Sequence, residues 1–186
     1  MDIEALKRAI TSKTKAIVPV HLFGQCANME AILEVAKAHD LYVIEDTAQA
    51  IGAEYTFRDG TKKKAGTIGT VGTTSFFPSK NLGCYGDGGA IFTNDDDLAQ
   101  TIRGIVNHGM YKKYYHDVIG VNSRLDSIQA AILRIKLDLL DSYCDTRRKA
   151  AAYYSAGFAH SDRIITPTTS DFTTHVFHQY TLQIIG

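Results

Sequence analysis

The feature that most limits how this chain can fold is a pair of short apolar runs with a helical pattern between them. Lys15-Ala16-Ile17-Val18-Pro19-Val20 and Leu41-Tyr42-Val43-Ile44-Glu45-Asp46 have the composition of strands buried on both faces. Between them Asn28 is a suitable helix N-cap, and Met29, Ile32, Leu33 and Ala36 recur at helical spacing. Strand, helix, strand at this spacing predicts a right-handed parallel crossover, hence an α/β fold with a mostly parallel sheet. Asp46 then stands at the carboxyl end of a parallel strand, the edge at which open α/β sheets hold their ligands.

Composition narrows the function classes. Twenty basic residues balance twenty acidic ones over 186 residues, so no large basic surface for nucleic acid or an anionic membrane is expected. No apolar run is long enough to cross a bilayer, and the acidic start Met1-Asp2-Ile3-Glu4 is unlike a secretory signal. Cys26, Cys84 and Cys144 are far apart and odd in number. They read as reduced thiols of a cytoplasmic protein, with no disulfide framework and no metal site.

Other elements follow in order. A short helix is expected over Ile3 to Ile10, a solvated hairpin or loop tip over Phe57 to Lys64, a strand over Gly69 to Phe76 and another over Ala90 to Thr93. Asp95 to Asp97 cap a helix that ends near His108-Gly109. The aromatic, basic segment Met110 to Val121 suits a subunit interface or a substrate lid better than single-stranded nucleic acid, given the balanced charge. Asn122-Ser123 is expected to cap one long helix with Leu125, Ile128, Ala131, Ile132, Ile135, Leu139 and Leu140 along one side, a pattern that can continue toward Phe158. His175 to Ile185 alternates like a strand, which would send His175 and His178 to opposite faces.

The chemistry concentrates at Lys80. It lies between the apolar Phe76-Phe77-Pro78 and four glycines, Gly83, Gly86, Gly88 and Gly89. A lysine in such surroundings can be desolvated, which lowers its pKa, and a neutral amine can form a Schiff base with a carbonyl. The glycines would let backbone approach a bulky ligand. Taken alone, Lys-Asn-x-Gly reads as a surface lysine before a glycine turn, and it is the rest of the chain that changes this. A strand and not a helix follows the glycines, so a dinucleotide-binding fingerprint is excluded.

Five motifs in series carry a resemblance over essentially the whole chain: Val20-His21-Leu22-Phe23-Gly24, Glu45-Asp46-Thr47-Ala48-Gln49, Ser75-Phe76-Phe77-Pro78-Ser79-Lys80-Asn81-Leu82, Gly86-Asp87-Gly88-Gly89, and Asn122 through Ala131. Together they resemble the DegT/DnrJ/EryC1/StrS family of nucleotide-sugar aminotransferases. The resemblance implies the aspartate-aminotransferase fold (fold type I), pyridoxal 5'-phosphate as cofactor, and a homodimer whose subunits share the active site. It matches Lys80 to the catalytic lysine that holds the cofactor and moves a proton. Asp46 matches the carboxylate facing the pyridine nitrogen, and Gln49 the side chain beside the ring. Ser75 matches a hydroxyl donor to the phosphate, and Asn122 the residue reaching that phosphate from the neighbouring subunit. Arg124 is a candidate for an anionic group of substrate or cofactor; His21 and His108 fit the pattern but read as structural.

On this resemblance residues 1–158 are part of the cofactor-binding large domain with its bridging helix, and residues 159–186 begin a small domain. The abrupt ends lead us to expect a fragment of a longer protein, which can itself be non-catalytic. The implied substrates are a nucleotide-linked keto sugar and an amino-acid donor, glutamate. The stretches Ser75 to Gly89 and Tyr114 to Ala131 look most like the branch that aminates UDP-linked 3-keto-N-acetylglucosaminuronate, where Arg124 could pair with the uronate carboxylate. Relatives that dehydrate sugars carry histidine in place of the lysine; Lys80 stands against that alternative.

Overall fold

The computed structural model describes residues 1–186. Its centre is a four-stranded sheet in the order β1 (Ala16–Ile17), β2 (Tyr42–Asp46), β5 (Val71–Ser75), β6 (Gly89–Phe92). β1, β2 and β5 are parallel and β6 runs antiparallel to β5. The crossover from β1 to β2 is α2 (Met29–Ala38), capped by Asn28, whose Oδ1 accepts from the Ala31 N–H. One face of α2 buries Met29, Ile32, Val35 and Ala36 against the sheet, about 1.5–3 kcal/mol for each large side chain. Pro19 has no N–H to donate and interrupts the first strand early, but the Val20–Asp46 bridge extends the pairing to the end of β2.

The preceding helix α1 (Ile3–Ala9) is capped by Asp2, and α3 (Asp96–Val106) by Asp95. The solvated tip is the hairpin of β3 (Glu54–Thr56) and β4 (Lys62–Lys64). Tyr55 of that hairpin is buried, and its hydroxyl bonds to Asn28 Oδ1 and accepts from the Glu30 N–H. The aromatic segment after α3 forms a small hairpin of β7 (Met110–Lys112) and β8 (Tyr115–His116).

Two expectations are corrected. The helix expected from Asn122-Ser123 is two helices, α4 (Ser127–Leu137) and α5 (Leu140–Phe158), and the first is capped by Asp126, whose Oδ1 accepts from the Ile128 N–H. Asn122 instead bridges to Asn107. Of the expected apolar side, Leu140 is buried but Ile128, Ile135 and Leu139 are exposed, and Leu133 is the buried contact of α4. The strand expected from His175 is confined to β10 (Gln183–Ile184), paired with β9 (Ile164–Ile165). Phe177 has φ +44°, a left-handed conformation that breaks any strand at that point.

Val176 beside it is fully buried in the main hydrophobic cluster with Ile17, Met29 and Leu140. The segment around it is tied in from three directions. Gly24 O accepts from the Val176 N–H, Asn81 Nδ2 donates to Val176 O, and Arg147 of α5 donates to the carbonyls of Phe177 and His178.

Candidate active site

The carboxyl ends of the parallel strands bring the predicted residues together. Asp46 ends β2, Ser75 ends β5, Gln49 lies in the turn after Asp46, and Lys80 lies in the loop joining β5 to β6. All four are partly buried. Three share a pattern of hydrogen bonding. Asp46 Oδ1 accepts from the Ala48 N–H at 2.9 Å, Gln49 Oε1 from the Phe23 N–H at 2.6 Å, and Ser75 Oγ from the Phe77 N–H at 3.2 Å. Each is thereby oriented with one polar group on the chain, while Asp46 Oδ2, the Gln49 amide nitrogen and the Ser75 O–H remain free to meet a ligand. Lys80 Nζ makes no ion pair within the chain.

The loop that carries Lys80 is fixed from α4 and by its own turns. Gln129 accepts from the Tyr85 N–H at 2.8 Å, and Lys136 donates to the Gly83 carbonyl and lies over the Tyr85 ring. Two of the four glycines, Gly83 and Gly89, are required by close approach of the chain's own backbone. None of the four has a positive φ, and a Cβ on Gly83 would lie 2.5 Å from Pro78 O and one on Gly89 2.7 Å from Thr74 O. Asn122 and Arg124 are elsewhere. They are exposed and line a cleft of about 1080 Å³ with β6, α3, Thr73 and Thr74 of β5 and Asp87 and Gly88 of the lysine loop, while none of Lys80, Asp46, Gln49 and Ser75 lines it. His108 is exposed at the end of α3, with φ +62°.

Two residues at this edge escaped the sequence reading. The first is Glu45, fully buried on the face of β2 that also carries Val43. Its Oε1 accepts from the N–H groups of Ile68 and Gly69, both at 2.7 Å, and its Oε2 from the Gly66 N–H and from His21 Nε2, both at 2.9 Å. Burial alone would raise this carboxyl, but the bonds from His21, Gly69, Gly66 and Ile68 outweigh it and hold it below its ordinary value. The signal was available: an acid inside an apolar strand must find partners.

The second is His178. Its Nδ1 and Asn81 Oδ1 are the two buried side-chain polar atoms of the chain without a hydrogen-bond partner, and Asn81 directly follows Lys80. Burial, then the charges of Lys80 and Arg147, push the His178 imidazole below its ordinary pKa. No local pattern in the sequence joins His178 to Lys80. The neighbouring His175 is pushed down to about 4 by burial and stacks on Phe177 at 3.8 Å. Burial raises the Cys26 thiol to about 11, which makes it an inert core residue.

Comparison with known proteins identifies the family. The profile of the DegT/DnrJ/EryC1/StrS aminotransferase family matches residues 1–185. A pleiotropic regulatory protein of Geobacillus stearothermophilus is 54% identical over 185 residues, covering 98% of this chain and 48% of that protein. The UDP-2-acetamido-2-deoxy-3-oxo-D-glucuronate aminotransferase of Pseudomonas aeruginosa is 48% identical over 184 residues, covering 99% of this chain and 50% of that enzyme. Among solved structures, Streptomyces venezuelae DesV in complex with a ketimine intermediate superposes with a TM-score of 0.93 at 44% identity, over 99% of this chain and 48% of DesV. The chain thus spans about half the length of the relatives it matches. Its α/β architecture is that of the family's pyridoxal-phosphate-dependent aminotransferases. The chain belongs to the DegT/DnrJ/EryC1/StrS aminotransferase family.

Proposed function

We propose that the protein containing this chain transfers an amino group from glutamate to a keto group on a nucleotide-linked sugar, using pyridoxal 5'-phosphate. The observation that carries this reading is the cluster of Asp46, Gln49, Ser75 and Lys80 at one sheet edge, each with a polar group free of the chain. That donor set fits the cofactor: an amine for its carbonyl carbon, a carboxylate for its ring nitrogen and a hydroxyl for its phosphate. When bound, the cofactor supplies the electron sink that lets a proton leave carbon. Lys80 would hold the cofactor and move that proton, Asp46 would keep the ring nitrogen protonated, Gln49 would orient the ring, and Ser75 would donate to the phosphate. Lys80 at this position argues against sugar dehydration.

The assembly is a cytoplasmic homodimer in this reading. Asn122 of the partner subunit reaches the phosphate in this reading; within one chain Asn122 lines a cleft with Asp87 and Gly88 that Lys80 itself does not line. The outward-facing Ile128, Ile135 and Leu139 provide apolar surface for such a contact. Residues 1–158 belong to the large, cofactor-binding domain and 159–186 open the small one. The favoured substrate is a UDP-linked 3-keto-N-acetylglucosaminuronate, a choice supported by the Pseudomonas aeruginosa relative, with Arg124 pairing with the uronate carboxylate. Incubating the whole protein with glutamate and a panel of keto-sugar nucleotides tests this. Amino sugar and 2-oxoglutarate should form in equal amounts, fastest with the uronate; strong preference for a neutral sugar contradicts the branch, and no transfer to any sugar contradicts the function.

A further inference from the structure

The Glu45 carboxylate has all four of its acceptor positions filled, by three backbone N–H groups of the 66–69 turn and by His21. His21 can be assigned a tautomer. Its Nδ1 lies 3.1 Å from the Ala27 N–H, which can only donate, so Nδ1 carries no proton and Nε2 carries the one given to Glu45. Both residues are fully buried. They join three separate pieces of backbone directly behind Asp46: the His21 N–H donates to Asp46 O at 3.0 Å, and the 66–69 turn leads into β5, which pairs with Asp46 through Thr73.

We infer that Glu45 and His21 are a positioning pair for Asp46: a carboxylate held by four donors, and a histidine whose ring nitrogens are both committed and which takes no part in proton transfer. The inference rests on the proposed role of Asp46 toward the cofactor's ring nitrogen. A glutamine cannot replace Glu45, because its amide nitrogen would face two N–H donors in place of an acceptor.

The test uses the whole protein with pyridoxal phosphate and four variants: Glu45→Gln, His21→Phe, Asp46→Asn, and Val43→Ala as a cavity control on the same strand face. The readouts are the pH midpoint of the bound cofactor's absorbance change and the cofactor's dissociation constant. Glu45→Gln and His21→Phe should move the midpoint in the direction that Asp46→Asn moves it and weaken binding roughly tenfold, a loss typical of removing an outer hydrogen-bond partner; Val43→Ala should do neither. If folded Glu45→Gln keeps the wild-type midpoint and affinity while Asp46→Asn does not, the pair is merely structural and the inference is overturned. If Asp46→Asn itself behaves as wild type, the proposed role of Asp46 falls and the inference falls with it. Should Glu45→Gln and His21→Phe not fold, nitrogen NMR of His21 in the wild-type protein decides: a slowly exchanging Nε2–H with Nδ1 unprotonated supports the pair, and a proton on Nδ1 in place of Nε2 overturns it.

Discussion

Asn81, the residue after Lys80, donates from Nδ2 to the carbonyl of Val176 at 3.1 Å, which ties the lysine loop to a segment 95 positions later. Val176 is fully buried, and its carbonyl has no water to turn to if the amide is lost. Asn81→Ala should therefore lower the unfolding free energy by about 1–3 kcal/mol, the cost of leaving a buried acceptor unpaired. Denaturant titration measures it, and an unchanged midpoint would show that the tie contributes nothing.

Lys80 and His178 should be linked electrostatically. The positive charge of Lys80 is one of the causes that keep the His178 imidazole below its ordinary pKa, after burial itself. Lys80→Ala removes that repulsion without adding a group, so the His178 pKa should rise, and proton NMR titration of the two proteins compares them directly. A pKa that stays or falls would place the two side chains out of each other's reach.

Gly24 should tolerate no side chain. Its φ is +114°, and a Cβ there would stand 2.9 Å from the backbone nitrogens of both Phe177 and His178. Backbone cannot yield as a flexible side chain can. Gly24→Ala is expected to cost more than about 1 kcal/mol and to loosen the Val176 segment, seen as faster hydrogen exchange at the Val176 N–H.

How far the sequence revealed all this can be judged residue by residue. The crossover from β1 to β2, the Asn28 cap and the place of Asp46 at the carboxyl end of β2 follow from patterns local in the chain, apolar runs, cap residues and strand ends, whereas Gln49 and Ser75 were singled out only by the family resemblance. The need of Glu45 for partners was legible, since it is an acid inside an apolar strand, but their identity was not, because His21 and the 66–69 turn are set by tertiary register and not by spacing. The break between α4 and α5 was missed since Asp138 and Leu139 are neither proline nor glycine, and the apolar periodicity runs on through them. Ile128 and Ile135 read as core because apolar spacing alone does not say whether a helix face is buried, and here both are exposed.

The acid limb of stability should depend on Glu45. A carboxyl held below its ordinary value in the folded state contributes stability that is present above the unfolded pKa and is lost as pH falls through the folded one. Urea unfolding of wild type and Glu45→Gln across acid pH should show the two curves converging as pH falls, with wild type ahead at neutral pH. A constant gap between them would contradict the assigned shift.

Self-association should run through the exposed apolar residues of α4. Ile128→Ser combined with Ile135→Ser is expected to shift sedimenting dimer to monomer with the fold retained by circular dichroism, since both side chains are largely solvent-exposed in one chain. Unchanged sedimentation would put the subunit contact elsewhere.

The most direct measurement of the central claim is chemical capture at Lys80. The whole protein, loaded with pyridoxal phosphate and reduced with borohydride, should carry the cofactor's mass on the peptide containing Lys80, with an absorbance band near 400 nm before reduction that a Lys80→Ala variant lacks. A band and a captured mass that persist in Lys80→Ala, or capture on any other lysine of the wild type, would contradict the account.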